Sequence, residues 1–315
     1  MQGLIGSSGF VGGALQRQRS FDGAYNSKTI GQIAGRRFER VVCAGAPATM
    51  WAANNQPEAD AANLASLLAS LRSASIGKLV LISTVAVFDD VSAGYTESHA
   101  RYEQAKAYGR NRRRLEEDAA EAFDCHILRL PALFGKGLKK NFIFDLMNPI
   151  PSFLTQAKHD ELSAAFAAAD RALLADAFAF DPGLNMWAFD RDRFGGDPRG
   201  GLLEAAFRRA GFISRNFTNS DSAYQYYNIE RLADDIDLCV EHGVRVLNVC
   251  SAPLRAGEIH EALFGEPFQN AGPAKVSEDV RSEHGALFGA SGPYLIEREA
   301  VLADLQAYVR SGEGA

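Results

Sequence analysis

Three glycines at a fixed spacing constrain this chain more than any other feature. Gly6, Gly9 and Gly12 follow a short apolar run at residues 1–6 and open a segment, Phe10 to Gln18, that reads as a helix. The first N–H groups of a helix have no intrahelical acceptor, and the helix dipole adds positive charge there. Such a start suits a phosphate. Gly6 permits the tight turn, Gly9 lets the backbone approach a pyrophosphate, and Gly12 lets the helix pack on a sheet. Ser8, Phe10 and Val11 supply the other loop groups. The alternative is a glycine-rich strand–helix turn that binds nothing.

The pattern behind the loop decides between these. Arg40 to Cys43 reads as a strand ending in the small-residue turn Ala44, Gly45, Ala46 and Pro47. Residues 58–74 carry apolar positions at helical spacing. Lys78 to Val87 is a continuous apolar strand of the kind buried on both faces of a parallel sheet. A charged helix follows at 108–122, then a strand at 125–134 that Pro131 interrupts. Strands alternating with helices predict an α/β fold, a doubly wound parallel sheet of Rossmann type. The expected division is a nucleotide-binding domain at 1–150, completed by parts of 217–265, and a smaller, mostly helical C-terminal substrate lobe at 151–315. Residues 151–215 show helical stretches broken at Asp181, Pro182 and Gly183 and again at Gly195 to Pro198, with no strand alternation, so a helical insertion is expected there. Strand and helix signals resume at Arg245 to Cys250 and Ala256 to Phe264, and Glu297 to Val309 closes as an amphipathic helix.

On this frame the loop predicts a bound NAD or NADP, with Ala44, Gly45 and Ala46 beside it. An acid at the end of the second strand holds the adenine ribose in domains that prefer NAD. The matching region here runs from Gly23 to Lys28, and Asp22 falls too early. Asn26 and Ser27 are the candidates for the ribose, with Lys28 able to meet a 2′-phosphate. A solvated turn is the alternative, so the choice of cofactor stays open.

Four stretches in order resemble the extended short-chain dehydrogenase/reductase family, the NAD(P)-dependent epimerases and dehydratases of sugar nucleotides. They are the glycine loop, the strand Leu81 to Phe88, the segment Tyr108 to Arg112 with Glu116, and Leu128 to Gly135. A weaker likeness runs from Tyr227 to Asp235. The resemblance covers about 1–150 and 217–265 and leaves 151–215 unexplained. It implies that Tyr108 is the general acid/base and that Thr84 hydrogen-bonds the reacting oxygen of the substrate. A free tyrosine titrates near pH 10, so acting as a base near neutrality requires its pKa to fall by about three, roughly 4 kcal/mol. A nearby cation contributes to that. The family places a lysine one turn after the tyrosine, and this chain has Arg112. An arginine keeps the charge but does not give up its proton, and its planar fork meets a ribose differently. Tyr102 and Lys106 form a literal Tyr-x-x-x-Lys and are the rival pair. Family dehydratases carry Asp and Glu after the threonine. Val85 and Ala86 stand there, which leaves epimerase or reductase, with Val85 against the substrate. Lys139, Lys140 and Asn141 match a stretch that contacts nucleotide-sugar phosphates in the family, or else form a solvated helix start. The aromatic group at Tyr224 to Tyr227 reads as core more readily than as a sugar pocket.

The remaining numbers exclude other classes. Among 315 residues the net charge is −6, which argues against a general nucleic-acid or anionic-membrane partner. Within the basic run Arg112 to Arg114, Arg113 and Arg114 are expected to face solvent or pair with acids one turn on, Glu117 and Asp118. Four cysteines without a CxxC pair read as buried thiols, and no metal site is expected. No run reaches about 18 apolar residues, and the start of the chain lacks the features of a secretion signal. A cytoplasmic enzyme with a small-molecule substrate, suspected to be a nucleotide sugar, is therefore expected. Family members often dimerise through the tyrosine helix, so a homodimer is possible. The alternative is a cofactor-binding, catalytically weak regulatory or scaffolding relative.

Overall fold

In the computed structural model, which describes residues 1–312, the chain forms two compact units. Residues 313–315, at the end of the expected C-terminal lobe, lie outside the described residues. The first unit comprises 1–138, 223–254 and 277–307, and the second 139–222, 255–276 and the chain from Tyr308.

The first unit is built on a six-stranded sheet. Its strands are β1 (Gln2–Ile5), β2 (Gly23–Tyr25), β3 (Arg37–Cys43), β4 (Ser75–Thr84), β5 (Cys125–Leu130) and β6 (Val246–Asn248). The order is β6-β5-β4-β3-β1-β2, and every neighbouring pair is parallel. This is the doubly wound parallel sheet expected from the sequence. The order reverses between β1 and β3, whose last residues Ile5 and Cys43 are paired. Ligands of such sheets bind outside the carboxyl ends of the strands at that reversal. Strand β2 falls at the start of the Gly23 to Lys28 region that matches the end of the second strand, with Asn26 and Ser27 just beyond it. The strand read from 78 to 87 ends at Thr84, and Val85–Val87 is a 3-10 turn. Pro131, which has no N–H for the ladder, separates β5 from the short strand Ala132–Phe134, which pairs instead with Tyr226–Asn228.

Helices α1 (Phe10–Gln18), α2 (Pro57–Arg72) and α3 (Ala107–Ala122) follow β1, β3 and β4. Leu64, Leu67, Leu68 and Leu71 of α2 and Leu115 and Ala119 of α3 join Val41, Leu79, Leu81 and Ile127 of the sheet in one buried cluster. All four cysteines are buried, as expected of core thiols.

The second unit corrects the all-helical reading of 151–215. Helices 156–165, 168–177 and 198–209 are present, but with them runs a three-stranded sheet of Phe153–Leu154, Phe178–Asp181 and Met186–Phe189, with antiparallel pairing. The Asp181 to Gly183 stretch is its hairpin turn. The Asp181 carboxylate accepts from Gly183 N at 2.8 Å, and Asn185 takes a φ of 54°. Ile150, Leu154, Phe178, Phe194, Leu203 and Phe207 form that unit's own core. Among the described residues no helix is long and apolar enough to cross a membrane.

Candidate active site

The loop after β1 has the geometry that its glycines predict. Gly6 takes a φ of +86°, and a Cβ there would lie 2.3 Å from the Ala44 carbonyl oxygen. A Cβ at Gly12 would lie 2.1 Å from the Gly6 oxygen. No side chain larger than hydrogen fits either point, so α1 starts hard against the end of β1. Gly9 is the N-cap of α1 and brings no side-chain hydrogen bond. The first-turn N–H groups of Phe10, Val11 and Gly12 therefore lack an intrahelical acceptor beside exposed Ser8 and Gly9. Ala44 to Ala46 leave β3 across the reversal point, so the loop and this turn lie together at the carboxyl ends of β1 and β3. Asn26 and Ser27 directly follow β2, the strand beside β1. The Asn26 side-chain oxygen accepts from Lys28 N at 2.9 Å and closes the turn locally. Asp22 sits at the other end of β2, where it accepts from Gln2 N.

Thr84 is the last residue of β4 and Tyr108 the second of α3. The Thr84 hydroxyl lies close enough to the Tyr108 hydroxyl to pull its pKa down. Two features that the sequence reading missed set this up. Gly109 lets α3 approach the turn after β4, since a Cβ there would lie 2.1 Å from the Ala86 oxygen. The Asn54 side chain accepts from Tyr108 N at 2.9 Å and so fixes the first turn of α3. Tyr108 is buried, and burial raises its pKa above the ordinary tyrosine value. Arg112 and Thr84 pull it down and the Asp60 charge pushes it up, with a net rise. The lowering expected from a cation at 112 is thus outweighed by desolvation, and the hydroxyl holds its proton at neutral pH.

Arg112 lies with its guanidinium 4.2 Å from the Tyr108 ring centroid. Its fork is bonded within the protein, one arm to the buried Asp60 carboxylate of α2 and the other to the Pro47 carbonyl at 2.5 Å. Asn111 also donates to Asp60, at 2.9 Å. The arginine therefore ties the turn after β3 to α2 and braces the tyrosine ring. A pattern of spacing along one helix could not foretell a partner on another.

The rival pair does not share a helix face. Tyr102 precedes α3 and forms a bridge with Phe88, and Lys106 is the exposed N-cap. The Tyr102 ring lies under Arg113, at 4.0 Å, and near Arg129. Arg129 and Glu116 form a fully buried ion pair at 2.7 Å, to which Ser83 adds a hydrogen bond. Tyr102 belongs to this structural cluster. Arg113 pairs with Glu117, as expected, and with Glu116, and Arg114 pairs with Asp118. Val85 is buried with Val87, Phe88 and Val280, which leaves it little surface for a substrate. Lys139, Lys140 and Asn141 belong to the second unit. Both lysines are exposed. The Asn141 side-chain oxygen accepts from Ile143 N and Phe144 N, so it is engaged as a helix cap. Tyr226 and Tyr227 are core, and Gln225 is held by the backbone of Ser251 and Val280.

No protein-family model matches the sequence, and no curated protein matches it. Solved structures do. RMD from Pseudomonas aeruginosa complexed with NADPH is 15% identical with a TM-score of 0.58, over 97% of this chain and 99% of that one. dTDP-4-dehydrorhamnose reductase from Bacillus anthracis in complex with NADP is 13% identical with a TM-score of 0.59, over 98% and 97%. UDP-N-acetylglucosamine 4-epimerase from Methanobrevibacter ruminantium in complex with UDP-N-acetylmuramic acid is 12% identical with a TM-score of 0.60, over 98% and 96%. Likeness along nearly the whole chain at such low identity is a likeness of fold: the chain shares the fold of these structures, built on the doubly wound parallel sheet described above.

Proposed function

We propose that this chain binds NAD or NADP on the Gly6–Gly12 loop and reduces or epimerises a nucleotide sugar, with Tyr108 as acid/base and Thr84 as its partner. The observation that carries this reading is buried Tyr108 at the start of α3, with the Arg112 guanidinium on its ring and Thr84 near its hydroxyl at the carboxyl end of β4, in a unit that carries the glycine loop. The loop fits a pyrophosphate, because its backbone fills the space that a Cβ would need and the start of α1 offers free N–H groups. Bound there, the nicotinamide would supply or accept a hydride. Thr84 orients the substrate oxygen. Tyr108 donates a proton to it, or removes one in the reverse sense. The fold neighbours include both a reductase, bound to NADP, and an epimerase, which agrees with either outcome of the proposed chemistry.

The test is a screen of nucleotide 4-keto sugars and nucleotide sugars against NADH and NADPH, read by cofactor absorbance and mass spectrometry. Tyr108→Phe should lower kcat by about 10²–10⁴-fold, the range for a lost general acid. A second reading rests on Arg112, whose fork is bonded to Asp60 and Pro47. On that reading the chain binds cofactor without rapid turnover. Cofactor binding with no change in any sugar, and no effect of Tyr108→Phe, would favour it and sink the enzyme.

A further inference from the structure

Among the described residues, four arginines carry a buried side-chain nitrogen without a hydrogen-bond partner: Arg19, Arg112, Arg129 and Arg215. Three of them meet a carboxylate, Asp237, Asp60 and Glu116 respectively. Arg215 does not. Among the described residues no Asp or Glu oxygen comes within ion-pair distance of it. Its Nη1 donates to His260 Nε2 at 2.8 Å, and its guanidinium lies 5.8 Å from the Phe268 ring centroid. A partly buried guanidinium whose charge nothing answers is costly, and proteins retain such a group where something binds it.

We infer that the second unit holds a binding site for a small oxyanion, a carboxylate or a phosphate group, centred on Arg215. The site is a cavity of about 260 Å³ lined by Arg215, Arg208, His260, Asp145 and Glu266, with Leu146, Pro149, Ile213 and Phe264 as apolar wall. Four separate elements bring these residues together: helices 142–147, 198–209 and 256–264, and the 3-10 turn Ser214–Phe217. The buried His260 fixes the arginine. An arginine N–H only donates, so Nε2 of His260 is the acceptor, and its Nδ1 carries the hydrogen that goes to the Glu266 carbonyl at 2.9 Å. Phe264 and Phe268 pack on the imidazole at 5.1 and 5.3 Å between centroids. Nη1 is therefore held in place, while Nε is buried without a partner and the guanidinium lines the cavity. The acids of the cavity do not neutralise Arg215. Burial pushes the Asp145 carboxyl up to about 6 despite the Arg191 charge, which reduces its negative charge near neutrality, and it is the Glu266 backbone oxygen that is engaged by His260. Arg208 pairs with Glu204 at 2.8 Å and stands at the cavity as a second cation.

This site rests on geometry within the second unit and stands whether or not the chain is a reductase. Isothermal titration of the full chain with inorganic phosphate, and separately with acetate, tests it. Saturable binding of at least one anion is expected. It should weaken tenfold or more in Arg215→Gln and measurably in His260→Phe, which keeps a ring but removes the acceptor. Arg208→Gln should weaken it less than Arg215→Gln. Which anion binds more tightly names the source, a carboxylate or a phosphate group. If Arg215→Gln does not fold, Arg215→Lys and His260→Phe carry the test by the same readout. Absence of saturable binding of either anion, or equal binding by wild type and a folded Arg215 variant, overturns the proposal.

Discussion

At the scale of single residues, the exchange of lysine for arginine after the tyrosine explains its own surroundings. A lysine ammonium would need one acceptor, whereas the planar fork of Arg112 needs several, and it finds Asp60 and the Pro47 carbonyl on two other segments. Asp60 is thus coupled to Tyr108 twice, through the guanidinium stacked on the ring and through its own charge. Asp60→Asn should therefore have two separable effects. It leaves a buried cation unanswered and should reduce stability to urea by about 3–5 kcal/mol. It also removes a negative charge that raises the Tyr108 pKa, so the alkaline limb of the kcat/KM profile should move to lower pH. An unmoved limb in a folded variant would break the link between Asp60 and the tyrosine.

At the scale of elements, one glycine sets the distance between β4 and α3. Gly109→Ala places a methyl carbon 2.1 Å from the Ala86 oxygen, and backbone must move to admit it. A loss of about 1–3 kcal/mol is expected from such overpacking, with a lower melting temperature and a weaker Thr84–Tyr108 pair. An unchanged melting temperature would show that α3 slides freely. This scale also shows what the sequence could disclose. The tight geometry of the glycine loop, and the placing of Thr84 at a strand end and Tyr108 at a helix start, were legible because each lies in a local run of adjacent residues. Asn54, Asp60 and the contact of Gly109 with Ala86 were not, since they join residues far apart in the chain. The hairpin at 178–189 was misread for another reason. Its strands are only four residues each, and the Asp-Pro-Gly between them serves equally as a helix breaker and as a turn. Strand β2 has three residues, too few for any alternation to register.

At the scale of the whole molecule, buried carboxyls set a pH dependence. Burial pushes Glu278 up to about 7 and Asp145 up to about 6. A carboxyl with a raised folded pKa binds its proton more tightly folded than unfolded, so its contribution favours folding at low pH and is lost as pH rises. For Glu278 that window runs from its ordinary 4.5 to about 7. Asp279 shifts the other way, because its bonds to Arg281 and Tyr294 outweigh its burial, and its window lies below the ordinary carboxylate range. Glu278→Gln keeps the acceptor for Gln225 N and should flatten the stability curve between pH 4.5 and 7 in urea titrations. A curve as steep as that of the parent would assign the dependence elsewhere. The interleaving of the two units has a bearing on biosynthesis. Strand β6 emerges from the ribosome more than a hundred residues after β5, its only neighbour in the sheet, with the bulk of the second unit made in between. Until then the nascent chain carries β5 as an open edge of backbone donors and acceptors, a template for mispairing. A fragment ended at the first boundary, after Leu138, would keep that edge permanently, so the first unit cannot be had cleanly by truncation.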